Sequence, residues 1–266
     1  MRTFLEKVRL APWLYKQPLT RVPRDINAAV SDLFIWRNNS EWKSRFDLIN
    51  LSALINADLS HNEANPGVEI RVMDKEGQLL GTSIVPLDGG YNKVINIADL
   101  ISGHQDEYGT FCVIHPFIPA VVSETGSFLA ERGYASFQYR QSRLWSYMHG
   151  NLDAVAAYPG GTLELLGGSS ILRRRYNLQH QITNASSYDI GLTNPSGRRR
   201  KLLLKLLDED GTEHYTAELE LPPGGCEITR LPELEMPVRL VVTSKLVMAR
   251  PIVFRMKGGL LDVFHG

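Results

Sequence analysis

The sequence predicts an all-β protein made of two tandem, related β-sandwich domains that follow a short N-terminal arm. Three observations predict this fold class. From Asp32 onward, short apolar runs alternate with turn residues, and residues 68–73 alternate apolar and polar side chains as a half-buried strand does. No stretch of a dozen residues has strong helical periodicity. Finally, several motifs of the first half recur in the same order in the second half.

The arm is assigned to residues 1–30, where three prolines prevent a long helix and two aromatic residues are expected to dock on the first domain. The first sandwich is assigned to residues 31–157 and the second to residues 158–266. Pro-Gly-Gly and Gly-Gly-Ser-Ser within residues 151–170 indicate the connection between them, although residues 162–166 resemble a strand.

The repeat consists of five pairs of short motifs. They match residues 46–49 with 188–191, 68–77 with 202–211, 87–90 with 222–225, 97–100 with 231–234, and 147–150 with 263–266. Each half therefore ends in His-Gly. The first half carries two extra loops, near residues 56–66 and across residues 103–132, and loops on a repeated frame often hold binding specificity.

The composition excludes several classes of function. Lys plus Arg and Asp plus Glu are both 29, so the surplus of positive charge that nucleic-acid binding uses is missing. The arginine runs at residues 173–175 and 198–201 are interpreted as solvated strand ends or turns. No segment reaches the ~20 apolar residues of a membrane span, and the N-terminus lacks a signal peptide, so a cytoplasmic location is expected.

The chemistry of cysteine and histidine is limited. Two cysteines without a Cys-x-x-Cys spacing form neither a disulfide framework nor a zinc ribbon. His104, His115 and Glu124 could supply three metal ligands, but no His-x-His or His-Glu-x-x-His spacing supports a metal. We therefore predict no metal and no cofactor.

No convincing catalytic set is found. Ser123 and Ser127 lie near His115, but they lack the Gly-x-Ser-x-Gly elbow that positions a nucleophile. Asp106, Glu107 and Glu124 could form an acid pair for glycoside chemistry, although paired loop carboxylates usually face solvent. The glycine-rich segments 158–161 and 166–169 lack the lysine of a phosphate-binding loop.

The best candidate for binding is an aromatic and arginine-rich stretch. Alternation directs Tyr134, Gln138 and Arg140 to one side of a strand and directs Phe137 and Tyr139 to the other, so about half of the aromatic side chains are expected in the core. Aromatic rings beside arginine and glutamine suit a sugar or a protein surface. The predicted binding residues are Arg132, Tyr134, Gln138, Arg140, Arg143, Trp145, His149 and His265.

The equivalent positions of His149 and His265 in the repeat leave two interpretations open. In one, each histidine belongs to its own ligand site, one per domain. In the other, each is a structural residue at a strand end whose ring bonds a loop carbonyl.

The second half resembles the family of the sensory rhodopsin transducer proteins. The residues that carry this resemblance are the hairpin at 208–211, the turn at 221–225, and the strands at 238–244 and 249–254. The resemblance implies an intracellular, non-catalytic β-sandwich that can oligomerise. This chain differs in having two units, and no functional residue is transferred.

Two functional hypotheses follow. In the first, the chain is a non-catalytic binding or assembly module, able to form a homo-oligomer, that recognises a protein or a glycan. In the second, it is a carbohydrate-active enzyme or an accessory factor in bacterial surface-polysaccharide synthesis. The second hypothesis depends only on architecture and aromatic content.

Overall fold

A computed structural model of the chain describes residues 18–25, 27–50, 67–87, 90, 92–101, 107–116, 133–140 and 142–266. Within these ranges the chain forms eighteen β-strands, one 3₁₀ turn at Ile97–Leu100 and no α-helix. The prediction of an all-β protein is confirmed. No helix with the length and hydrophobicity needed to cross a bilayer occurs in the described part of the chain.

The strands fall into two groups along the chain. Those of the first half are β1 (Ala29–Arg37), β2 (Trp42–Ile49), β3 (Val68–Asp74), β4 (Leu79–Val85), β5 (Asn92–Asn96), β6 (Tyr108–Ile114), β7 (Gly133–Tyr139), β8 (Ser146–Met148), β9 (Asn151–Ala157) and β10 (Glu164–Leu165). Those of the second half are β11 (Ser169–Ile182), β12 (Ser187–Thr193), β13 (Arg200–Leu207), β14 (Glu213–Leu221), β15 (Cys226–Arg230), β16 (Val238–Leu246), β17 (Ile252–Lys257) and β18 (Leu260–His265).

These strands form four antiparallel sheets. The first half contains the sheets β10-β9-β1-β6-β3-β4 and β5-β2-β7-β8, and the second half contains β11-β16-β13-β14 and β15-β12-β17-β18. Apart from β9 and β10, adding ten to each strand number of the first half gives the order found in the second half. The two halves therefore share one strand order.

A pair of hairpin turns illustrates this correspondence. Asp74 begins one turn and its carboxylate accepts a hydrogen bond from the Gln78 amide at 2.8 Å. Asp208 begins the other and accepts from the Thr212 amide, also at 2.8 Å. Gly77 and Gly211 have φ values of 78° and 86°, so both turns use a backbone conformation that favours glycine.

One sheet lies between the two main hydrophobic cores. Alternate residues of β17 point to opposite sides, so Phe254 belongs to the first core and Val253 to the second. The first core also contains residues of both sheets of the first half. The central strands β12 and β17 of the sheet β15-β12-β17-β18 are consequently buried on both faces over most of their length, and this sheet joins the two halves.

We use the name joint for the contact between the sheet β15-β12-β17-β18 and the first half. The joint combines aromatic packing with an ion pair. The ring of Phe254 lies 5.4 Å from that of Trp42 and 5.0 Å from that of Phe137, centroid to centroid. The Arg37 guanidinium stacks 3.6 Å above the Trp42 ring and pairs with Asp189 of the second half at 2.9 Å. The side chains of Arg37 and Asp189 are both largely buried, so their ion pair lies inside the joint.

The connection between the halves lies against the first sheet. Strand β9 pairs with β1, and β10 pairs with β9, so residues 151–165 extend that sheet. A buried ion pair of Glu69 and Arg71 holds the following turn through the Gly160 amide and the Tyr158 carbonyl. Of the predicted N-terminal arm, residues 1–17 lie outside the described residues, while Thr20 bridges to Gly167.

Candidate functional site

The outward side of the sheet β5-β2-β7-β8 contains three of the eight predicted binding residues, Tyr134, Gln138 and Trp145. In β7, Tyr134 is 45% exposed and Gln138 is partly exposed, whereas Phe137 and Tyr139 are buried. The alternation predicted from the sequence is therefore confirmed. We use the name aromatic face for the outward side chains of Arg45, Asp47, Tyr134, Gln138, Trp145 and Tyr147.

Arg45 lies at the centre of the aromatic face. Its Nε donates to Ser136 Oγ at 3.1 Å and lies 3.3 Å from Asp47 Oδ2, and its Nη2 donates to the Tyr147 hydroxyl at 2.6 Å. The guanidinium carbon lies 4.1 Å from the centroid of the Trp145 ring, within the range of a cation–π contact. These contacts hold Arg45 in one orientation.

Arg45 and Asp47 were not among the residues predicted from the sequence. Both belong to β2, whose side chains are buried at Trp42, Phe46 and other even positions. The alternation of this strand therefore carries the signal, because it places the odd-numbered charged residues on the side opposite to the core. Their proximity to Trp145 and Tyr147 depends on the pairing of β2 with β7 and of β7 with β8.

The other predicted arginines lie beside the aromatic face. Arg140 follows β7 with a φ of 48° and pairs with Glu41 at 2.7 Å. Arg143 is exposed. Arg132 lies outside the described residues.

The two predicted histidines form one cluster. His149 follows β8 and His265 ends β18, and their Nε2 atoms are 3.0 Å apart. Arg250 donates to the His265 ring, with Nη2 2.8 Å from Nε2, and donates from Nε to the Gly266 carbonyl at 2.9 Å. One interpretation of the sequence placed His149 and His265 in two separate ligand sites. In the structure the two histidines lie next to each other.

The electrostatics of this cluster favour a neutral imidazole at His265. Burial, the charge of Arg250 and the neighbouring His149 lower the pKa of His265 to about 4. Burial raises the pKa of Asp32 on the same side of the joint, and a hydrogen bond from the Asp153 amide opposes that rise. The guanidinium of Arg250 beside His265 also disfavours a bound cation.

Only one of the three metal-ligand candidates lies within the described residues. His115 directly follows β6 and is 1% exposed, while His104 and Glu124 lie outside the described residues. Across the described ranges, no three histidine, cysteine or acidic side chains converge on a common point. A cavity of about 150 Å³, lined in part by His180, Asp208 and Arg239, opens at the end of the second half, and it is smaller than most ligand pockets.

The fold and the aromatic face define an all-β protein with an exposed, aromatic sheet surface. No model of a known protein family matches the chain, and no curated protein matches it either. The resemblance to sensory rhodopsin transducer proteins therefore stays a prediction.

Solved structures show only a distant likeness. A glycosyl hydrolase family 2 member from Bacteroides cellulosilyticus is 6% identical, with 93% of this chain and 29% of that chain covered and a TM-score of 0.17. A β-glucuronidase of the same family is 9% identical, with 93% and 25% covered and a TM-score of 0.19. A structure of infectious bursal disease virus is 11% identical, with 97% and 75% covered and a TM-score of 0.17.

The chain spans less than a third of the length of either glycosidase-family structure. TM-scores this low do not establish a shared fold, so the likeness carries no argument about function.

Proposed function

We propose that the chain is a non-catalytic binding module, built from two copies of one eight-stranded β-sandwich, that binds a glycan through the aromatic face of its first copy. The observation that carries this proposal is the exposure of Tyr134 and Tyr147, at 45% and 49%, around an Arg45 that other side chains already fix in place.

The duplication is supported by a path across three strand ladders. The path starts one residue before each of the matched histidines, at Met148 before His149 and at Phe264 before His265. Each step moves to the antiparallel partner in the neighbouring strand. The partners reached in this way are Ala135, Phe46 and Ile95 in the first half, and Val253, Ile190 and Thr229 in the second. The path ends two residues before Ile97 and Leu231, a pair that the motif comparison matched independently.

The path also corrects one of the motif matches. It makes Phe46 equivalent to Ile190, whereas the motif comparison matched Phe46 with Tyr188, two residues earlier. The shared Phe/Tyr-Asp pattern had suggested the wrong alignment, because an aromatic–aspartate pair says nothing about ladder partners. A shift of two preserves which side of the strand each residue occupies, so the predicted burial was unaffected.

The remaining sheets agree with the duplication. The hairpin β3–β4 has a register shift after Val72, and the hairpin β13–β14 has one after Leu206, the position expected from a constant difference of 134 in residue number. Bulges are specific features of a strand pair, so a shared bulge supports a common origin of the two hairpins.

The duplication gives the aromatic face an internal comparison. The residues equivalent to Tyr134, Gln138 and Tyr147 are Ile252, Met256 and Val263, all buried in the joint between the halves. The same face of the frame therefore buries aliphatic side chains in the second copy and exposes tyrosines in the first. A face selected for solubility alone would favour charged residues, whereas tyrosine retains a large contact area for a partner.

This surface is better suited to binding a glycan than to catalysing a reaction. Aromatic rings pack against the apolar face of a sugar, and Arg45, Asp47 and Gln138 can exchange hydrogen bonds with its hydroxyls. Because Arg45 is already fixed, binding costs little additional side-chain entropy. The Asp47 carboxylate is paired with Arg45 and accepts from Ser136, so it is a poor general acid, and the proposal is non-catalytic.

Affinity electrophoresis in gels containing different soluble polysaccharides, with pull-down on insoluble cellulose and chitin, tests this proposal. We expect at least one polysaccharide to retain the protein, and Tyr134→Ala and Trp145→Ala each to weaken retention about tenfold or more. Leu260→Ala, at another exposed apolar residue, is the control and should bind normally. Retention by no polysaccharide, or equal retention of all variants, would contradict the proposal.

A further inference from the structure

The edge strands β4 and β14 occupy equivalent positions in the two halves. Each is the last described strand of its sheet, β4 after β3 and β14 after β13. An edge strand presents backbone N–H and C=O groups that can pair with another strand. Proteins usually protect such an edge with charged side chains or proline.

Only one of the two edges has that protection. The exposed positions of β4 hold Leu79, Thr82 and Ile84, and the two aliphatic residues are 59% and 58% exposed. The equivalent positions of β14, 134 residues later, are exposed as well. They hold Glu213, Thr216 and Glu218. Strand β4 contains no charged residue at all.

We propose that β4 is an assembly edge that pairs antiparallel with β4 of a second copy of this chain. A twofold axis at the strand midpoint, Thr82, would place Leu79 opposite Val85 of the second copy and Ile84 opposite Leu80. Apolar pairs of this kind stabilise a sheet. The exposed Pro86 directly after the strand limits the pairing to residues 79–85.

The absence of charge selects a second copy as the partner. Self-pairing of an uncharged strand brings no like charges together, so the same strand serves both sides of the interface. Self-pairing of β14 would gather three glutamates from each copy, Glu213, Glu218 and Glu220, along one edge. The two related edges thus differ in the property that permits or prevents self-association.

Sedimentation velocity across a wide range of protein concentrations tests the proposal. We expect the wild-type chain to shift from the mass of one chain towards twice that mass as concentration rises. Ile84→Glu, which introduces the residue found at the equivalent position of β14, and Thr82→Lys should both remain at the mass of one chain. Thr216→Lys, the same change on the equivalent edge, is the matched control and should associate as the wild type does.

Hydrogen exchange locates the interface. Amides of β4 should exchange more slowly in concentrated than in dilute wild-type protein, while those of β14 should not change. A wild-type chain of single mass throughout, or Ile84→Glu and Thr82→Lys variants that associate like the wild type, would overturn the proposal. Because β4 and the aromatic face belong to different sheets, retention by polysaccharides is expected to survive both changes, so the two proposals can fail separately.

Discussion

His149 and His265 are in direct contact, with their Nε2 atoms 3.0 Å apart and their ring centroids 4.4 Å apart. His149 follows β8 and His265 ends the corresponding strand β18, so the two His-Gly segments meet where the halves join. Arg250 contacts His265 and supplies a permanent positive charge. Protonation of His265 therefore weakens the contact, because the added charge would lie beside that of Arg250.

Acid should destabilise the joint through His265. Its folded-state pKa of about 4 is below the ordinary value of 6.5, so at intermediate pH the unfolded chain binds a proton that the folded chain does not. The free energy of unfolding should fall as the pH decreases from about 6.5 to about 4. Since the ring is partly solvated, we expect a loss of about 1–2 kcal/mol. Urea unfolding at several pH values measures it.

His265→Gln should flatten this pH dependence. Asp32 acts in the opposite direction, because its raised pKa makes the folded state take up a proton first, so stability increases as pH decreases past that pKa. Comparing wild type and variant at each pH removes the common contribution of Asp32. His180→Gln, at an exposed histidine, is the control. A pH profile that is identical in wild type and His265→Gln would contradict the prediction.

Arg37→Met should destabilise the joint. The change leaves the buried Asp189 with Arg230, 2.8 Å away and more exposed, as a remaining partner. It also removes the stacking on Trp42. We expect a loss of about 2–4 kcal/mol in the free energy of unfolding, measured by urea titration. Arg255→Met removes an exposed ion pair with Asp262 and should cost less than about 1 kcal/mol. Equal costs for the two variants would refute the assignment of Arg37 to the joint.

Gly77→Ala and Gly211→Ala form a matched pair. Both glycines have positive φ, so each alanine costs about 1–2 kcal/mol of backbone strain. A Cβ on Gly77 would also lie 2.2 Å from the Pro223 carbonyl oxygen of the second half, whereas one on Gly211 would meet nothing within 4 Å. Gly77→Ala should therefore cost at least about 2 kcal/mol more. Thermal and urea unfolding of both variants would reveal equal costs if the hairpin did not touch the second half.

The buried pair Glu69–Arg71 should show strong coupling. Their side chains are 4% and 8% exposed, so Glu69→Ala leaves a guanidinium buried without its carboxylate and should cost about 3–5 kcal/mol. The double variant Glu69→Leu, Arg71→Met should recover most of that loss, because neither charge remains buried. A double-mutant cycle of unfolding free energies measures the coupling. Additive effects of the two single changes would contradict the prediction that Glu69 and Arg71 stabilise the fold as a pair.

Local patterns predicted much of the fold and part of the aromatic face. Alternation over residues 134–139 was sufficient to place Tyr134 outside and Phe137 inside, because neighbouring side chains of a strand point to opposite sides. Local patterns were not sufficient to predict the contacts of Arg45. Its own strand shows the same alternation, but its contacts with Trp145 and Tyr147 join residues about a hundred positions apart, and ladder register is not written in either segment alone.

The sequence by itself determined the strands, the tight turns at Asp74 and Asp208, and the order of the repeated motifs, since these depend on periodicity and backbone preferences of neighbouring residues. Tertiary structure alone decided that His149 meets His265, and that the face containing Phe254 is buried while its counterpart around Arg45 is exposed. Alternation assigns a residue to one side of a sheet, but only the packing of distant segments decides whether that side meets solvent or another sheet.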